Sequence, residues 1–414
     1  MPDGQKETMR SRRRNWAFAG AMGMAGALSC SGKAINELGS VSRAGNAGAI
    51  SGDAGARESA GAPSVNAGTA GGSPRAGSAN DAGAAGSDEP DLHLECPTCE
   101  LMVERSDIRG VATDERRVYW VEHGTTDSLG NYLDDGRLLA RDLLGGPIDV
   151  LADGLPGPES VAVSNEYAYL FVTQVASAGL PNAVVRVPLS GGAAQVITEL
   201  PNEDYAGYDV FAKGDGCEYF VWGAVLYRIA ETATPTVESV LTPSKMLRVV
   251  SDDSSLYFGD NAFIGDAPAI WVLPFSGGEA TKIGSAELHE PMLVSGEYLY
   301  GQAYSDLHGA DQSYYLARMP RAGGAWKRVA KLSTEGASTY HLAIDGDRFF
   351  IDQLGTSQLL LQLSLSNATK RTVLARQGRG DLGPGIRWRT WAYSPEGLFL
   401  ATASGLYRVA VPQP

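Results

Sequence analysis

Cysteine is scarce: only Cys30, Cys96, Cys99 and Cys217 occur in 414 residues. So few thiols exclude a disulfide framework, and the fold must be held by packing. Excess positive charge is missing as well. The chain totals −14, and its first 30 residues carry five Lys/Arg against two Asp/Glu, a local +3 that leaves −17 for the remainder. Such a surface repels phosphate backbones and anionic headgroups, so nucleic acid is excluded as a partner. Helical periodicity is absent after residue 90, which points to an all-β domain. No nucleophile elbow, His-Glu-x-x-His pair or phosphate loop occurs, so the common hydrolytic and nucleotide chemistries have no sequence support.

Long apolar runs are also rare, and the one near the N-terminus is short. Residues 10–14 read RSRRR, and residues 16–29 read WAFAGAMGMAGALS. A basic segment before an apolar run of this length has the form of an export signal rather than a membrane span. Cys30 follows Ala27-Leu28-Ser29, which resembles the bacterial lipobox. The resemblance implies lipidation at Cys30 and a membrane anchor; the competing reading is a plain cleaved signal, with Cys30 incidental and the protein secreted. From Ser31 to Pro90, 37 of 60 residues are Gly, Ala or Ser and none is aromatic. Such a segment has too little apolar area to offset its chain entropy, so it is expected to be a disordered tether. At roughly 5–6 Å × √n its reach is on the order of 40 Å. The expected organisation is therefore a signal over 1–30, a linker over 31–90 and one folded domain over 91–414.

What the domain does contain is repetition. ATDERRVYW, VSNEYAYLF and SDDSSLYFG are versions of one phrase, an apolar run, a polar turn and a strand ending in an aromatic residue. Aligning that aromatic gives Tyr119, Tyr169, Tyr219, Tyr257, Tyr300, Phe350 and Phe399, spaced 50, 50, 38, 43, 50 and 49 residues apart. Periods in this range mark propeller blades. In the second unit four strands are legible over 160–164, 168–173, 183–189 and 193–198. Gly doublets at 145–146, 191–192, 277–278 and 323–324 suit tight hairpins that need positive φ. Asp114, Asn165, Asp215, Asp252 and Asp345 mark the first turn of their units, where such side chains bond their own backbone. The last unit has only three strands before the chain ends, which would leave an open edge. The extended segment Leu101–Arg105 is expected to complete it. The fold expected is a seven-bladed β-propeller of four-stranded antiparallel blades, its last blade closed by an N-terminal strand and the aromatics filling the spaces between blades.

This pattern, with Tyr119-Trp120 matching the first half of the tetrapeptide, resembles the YWTD-type and related bacterial seven-bladed propellers over residues 100–412. The resemblance implies architecture and says little of activity. No Gly-His…Trp-Asp pair is present, and the Gly doublets fall one strand too late for kelch repeats.

Strand direction places second-to-third loops and blade connections on one face, where propellers usually bind ligands. His123, His289, His308 and His341 all map to it. The position ten residues before each aromatic reads Arg109, Glu159, Asp209, Leu247, Glu290, Tyr340 and Arg389, expected at the channel rim of that face. Carboxylates and guanidiniums around one opening suit a cation or polar ligand; they equally suit a solvated rim of alternating charge. Propeller lactone hydrolases hold a metal near this place, and a resemblance to them implies a metal-dependent hydrolase or lyase, although the matching Asn is lacking. The candidate ligand-binding set is Arg109, His123, Glu159, Asp209, His289, Glu290, His341 and Arg389, with no catalytic residue, metal or cofactor assigned. The expected partner is a protein, peptide or glycan bound by a monomer, with membrane contact through the lipid on Cys30 alone. Cys96-Pro97-Thr98-Cys99 lacks a second pair at zinc spacing, so a local disulfide is expected, with pairing of one of them to Cys217 as the alternative. The local bridge leaves Cys217 as a reduced filler. Residues 378–383 match GxGxxG, but Pro384 follows instead of a helix, which excludes dinucleotide binding there.

Overall fold

The computed structural model describes residues 94–105, 107–126, 133–173, 182–201, 211–223, 225–241, 246–260, 269–285, 288–304, 313–333, 341–354, 357–367, 371–378, 390–402 and 404–412. The signal-like segment, the expected tether, Asp209, His308 and Arg389 lie outside them.

The described elements are all strands. Two short ones come first, β1 (Leu94–Glu95) and β2 (Cys99–Val103). Blade 1 is β3 (Ile108–Thr113), β4 (Arg117–Glu122), β5 (Gly136–Asp142) and β6 (Asp149–Leu155). Blade 2 is β7 (Pro158–Val163), β8 (Tyr167–Val172), β9 (Asn182–Pro188) and β10 (Gln195–Leu200). Blade 3 is β11 (Phe211–Gly214), β12 (Cys217–Trp222), β13 (Val225–Ala230) and β14 (Val237–Leu241). Blade 4 is β15 (Met246–Ser251), β16 (Ser255–Asp260), β17 (Ala269–Pro274) and β18 (Thr281–Ser285). Blade 5 is β19 (Leu288–Ser295), β20 (Tyr298–Tyr304), β21 (Tyr314–Pro320) and β22 (Lys327–Ser333). Blade 6 is β23 (Leu342–Asp345), β24 (Arg348–Leu354), β25 (Ser357–Ser364) and β26 (Arg371–Gly378). Blade 7 is β27 (Thr390–Ser394), β28 (Gly397–Ala401) and β29 (Leu406–Val409), with β2 as its outer strand. Every pairing is antiparallel, and β27 returns to touch β3, closing a ring of seven.

The repeated aromatic explains why the ring holds. Successive residues of a strand face opposite sides of the sheet. In β4, Val118 and Trp120 pack against blade 7, while Tyr119 and Val121 pack against blade 2. Tyr169 likewise faces blade 3, Tyr219 blade 4, Tyr257 blade 5, Tyr300 blade 6, Phe350 blade 7 and Phe399 blade 1. The repeated side chain always points to the following blade, and its neighbours along the strand point to the preceding one. Seven apolar clusters result, one at each seam, so no single blade buries its faces alone. In blades 1 and 4 the turn residue joins in: Asp114 and Asp252 each accept two backbone N–H groups of their turn and the hydroxyl of Tyr119 or Tyr257.

All eight glycines of the four doublets adopt positive φ, between 84° and 141°. Two doublets also grip the preceding blade, with Gly192 N donating to Leu151 O at 3.0 Å and Gly324 N to Ile283 O at 3.1 Å. Seam contact is closest where side chains are smallest: a Cβ on Gly214 would fall 1.8 Å from the Phe275 ring of blade 4.

The closure differs from expectation in two respects. The closing strand is Cys99–Val103 rather than Leu101–Arg105, because Cys99 opposes Val409 and Glu100 opposes Arg408, while Arg105 leaves the ladder for Glu122 of blade 1, at 3.2 Å. The preceding pair, Leu94 and Glu95, adds a short fifth strand to blade 6 against Gln377 and Arg376. Cys96 and Cys99 are disulfide-bonded within the turn that joins these two strands. Cys217 is not the reduced filler expected, since no described cysteine is a free thiol. Buried in the apolar seam of blades 3 and 4, it is held by a bond as well as by packing.

Candidate functional site

Two residues of the rim set owe their position to a local irregularity. Ile108 opposes Glu122 and Gly110 opposes Val121, so Arg109 is an extra residue in β3. Pro158 opposes Val172 and Ser160 opposes Phe171, so Glu159 is the extra residue in β7. Bulges re-aim a side chain out of the pleat, and both lie at the same level of neighbouring inner strands. The two strands approach closely: a Cβ on Gly110 would stand 2.8 Å from Ser160 Cα. The bulged positions of Arg109 and Glu159 therefore lie on neighbouring inner strands.

His123 joins them from the end of β4. Its Nε2 lies 2.9 Å from Glu159 Oε1, across the seam of blades 1 and 2. The backbone fixes the ring's place, with His123 N donating to Asp107 O at 3.0 Å and Gly124 N to Asp107 Oδ2 at 3.1 Å. Next along the loop, Asp135 accepts from Thr125 N at 2.8 Å and from Thr125 Oγ1 at 2.7 Å, and these bonds hold its carboxyl below the usual carboxylate range against the opposing effect of burial. His123 is 3% exposed, whereas the Glu159 side chain is 26% exposed. The carboxylate faces solvent, and the imidazole supports it from behind.

His341 lies elsewhere, just before β23. Its N–H donates to Asp352 Oδ1 at 2.8 Å, its Nδ1 is 3.5 Å from Asp352 Oδ2, and its ring centre is 6.0 Å from that of Trp391 in blade 7. This is a second His–carboxylate pair at a different seam. His289 is an extra residue between Leu288, opposite Ala303, and Glu290, opposite Gln302; only the backbone of these two is described. The structure thus joins His123 and Glu159 across the seam of blades 1 and 2, puts Arg109 at the bulge of the neighbouring strand, and sets His341 apart.

Sequence reasoning missed Glu122, Arg105 and Asp352. The signal was present: Glu122 and Asp352 occupy positions that strand alternation reserves for apolar packing, in phase with Trp120 and Phe350. A carboxylate in such a slot is a buried charge in search of a partner. Among the described residues no three His, Cys, Asp or Glu side chains converge as a metal cage.

A closed ring of seven antiparallel blades with a polar seam on one face defines a seven-bladed β-propeller. Several solved structures are similar to parts of the chain. TolB from Acinetobacter baumannii matches at 15% identity and TM-score 0.41 over 64% of each chain, so the match spans less than two thirds of TolB. The propeller domain of the trilobed protease from Pyrococcus furiosus matches at 8% identity and TM-score 0.49, over 73% of this chain and 91% of that one. A prolyl endopeptidase matches at 14% identity and TM-score 0.48, over 76% of this chain and 51% of that one. No protein-family model matches the chain, and no curated protein does. At these TM-scores the likenesses carry no argument, and the fold rests on the seven sheets themselves.

Proposed function

We propose that the protein is an exported binding module, a rigid propeller on a tether that captures a protein, peptide or glycan on the face carrying Arg109, His123 and Glu159. The observation that carries this reading is the partly exposed Glu159 carboxylate, aimed by a bulge and supported by a buried imidazole. The imidazole at its back is 3% exposed, which suits a role in holding the carboxylate rather than one in moving protons for a substrate. Kinship with the YWTD-type ring and anchoring through Cys30 belong to the same proposal, the first supported by strand pattern and the second by the residues around the apolar N-terminal run.

The purified domain and its Glu159→Gln variant, screened on peptide and glycan arrays, test the reading. A ligand held by the parent and weakened about tenfold or more in the variant is expected, the scale of losing one charge-assisted bond. Stoichiometric divalent metal that disappears with Glu159→Gln would overturn it in favour of a propeller hydrolase or lyase.

A further inference from the structure

Beside the seam of blades 1 and 2 lies Arg109, a cation that no described residue pairs. Arg109 Nε is buried without a hydrogen-bond partner, and its guanidinium has no ion pair or ring contact among the described residues. The acids around it are already engaged. Glu122, at the foot of the Arg109 bulge, is taken by Arg105 at 3.2 Å. Glu159, on the adjoining bulge, is taken by His123 at 2.9 Å. Asp107, two residues before Arg109, receives Gly124 N at 3.1 Å. A buried N–H of a charged group left without an acceptor is costly, and each of these three carboxylates already holds another donor. No described residue supplies the acceptor for Arg109 Nε, and a ligand oxygen would.

Resting on the binding reading above, we propose that Arg109 anchors an isolated carboxylate of the ligand, of the kind a peptide C-terminus presents, with Glu159 flanking the next group along. A planar carboxylate matches the two-pronged donor edge of a guanidinium. A polyanion fits poorly, because the chain carries a net charge of −14 and repels a dense array of like charge, whereas one terminal carboxylate meets mainly the local cation. A bulge is also the right device. It leaves Arg109 outside the ladder's alternation, so its guanidinium is not drawn into the apolar seam that Ile108 fills.

The test titrates the ¹⁵N-labelled domain with N-acetyl-trialanine and with its C-terminal amide, following the Arg109 Nε–H resonance and the melting temperature. The free acid is expected to move the resonance saturably and raise the melting temperature, and the amide to do neither. Arg109→Gln should weaken the response about tenfold or more, with its own unliganded melting curve showing that it folds, and Arg109→Lys should restore part of it. No movement with the acid, equal movement with the amide, or an undiminished response in Arg109→Gln would overturn the proposal. A response to glucuronate but not to the tripeptide would overturn the peptide assignment. If the peptide acid fails while an array ligand still depends on Glu159, this inference falls and the binding reading stands.

Discussion

Glu218 occupies a position that its strand reserves for apolar side chains. Along β12, Phe220 and Trp222 pack toward blade 2, and Glu218 shares their phase at 2% exposure. Burial pushes its carboxyl up to about 8, the like charge of Glu231 adds to the effect and Lys213 opposes it. Across the seam the same pair of acids, after burial, helps to raise the Tyr169 hydroxyl. A carboxyl whose value is higher in the folded chain than in the unfolded one holds its proton more tightly when folded. Its stabilising contribution is complete below the ordinary value of 4.5 and is lost as pH rises toward about 8. Glu218→Gln is neutral at every pH and cannot lose it. The variant should equal the parent near pH 4.5 and exceed it at pH 9 by a few kcal/mol, the scale of a shift of several units at about 1.4 kcal/mol each. Denaturant titrations at the two pH values measure this, and parallel profiles for parent and variant would refute it.

The strands were the most legible part of the molecule, and the reason lies in their two-residue period. Tyr119, Tyr169 and the other five aromatics fall on the second strand of their blades, because each fills the same slot against the next blade. The Gly doublets were legible because a two-residue hairpin demands positive φ. What stayed hidden depends on register between distant segments. Nothing in Leu94-Glu95 distinguishes a two-residue strand on blade 6 from a loop, since its partners Gln377 and Arg376 lie more than 280 residues away. The meeting of His123 with Glu159 was illegible for the same cause: it is a contact across a seam, set by a bulge that leaves no mark in composition. Closure was legible by counting strands, though not to the residue. It yields a prediction for β2. Without it, β29 presents an unpaired edge, and the apolar seam between blades 7 and 1 loses Val103. Open edges of this sort recruit other chains. A chain beginning at residue 106 should therefore aggregate or melt earlier than one beginning at residue 91, as seen by light scattering and thermal melting. A monomer with an unchanged melting profile would reject the closure.

At the scale of the whole molecule, the bond at Cys217 and the proposed lipid anchor make competing demands on Cys30. The ring closes through seven seams, the strand lent by the N-terminal segment and the Cys96–Cys99 bridge, and Cys217 within it is not a free thiol. The proposed lipid anchor needs Cys30 as well, because the apolar run before it, residues 16–29, is too short for a stable span, and only a lipid would then hold the chain at a membrane. The two possible fates of the Cys30 sulfur exclude each other, since a lipidated thioether cannot also form a disulfide, and Cys217 is not a free thiol. Fractionation therefore decides between them. If Cys30 is lipidated, Cys30→Ser should move the protein from the membrane fraction to the soluble one, and mass spectrometry of the parent should find an acylated N-terminal cysteine. A Cys30→Ser protein that stays with the membrane, or a non-reducing peptide map that joins Cys30 to Cys217, would refute the lipid anchor.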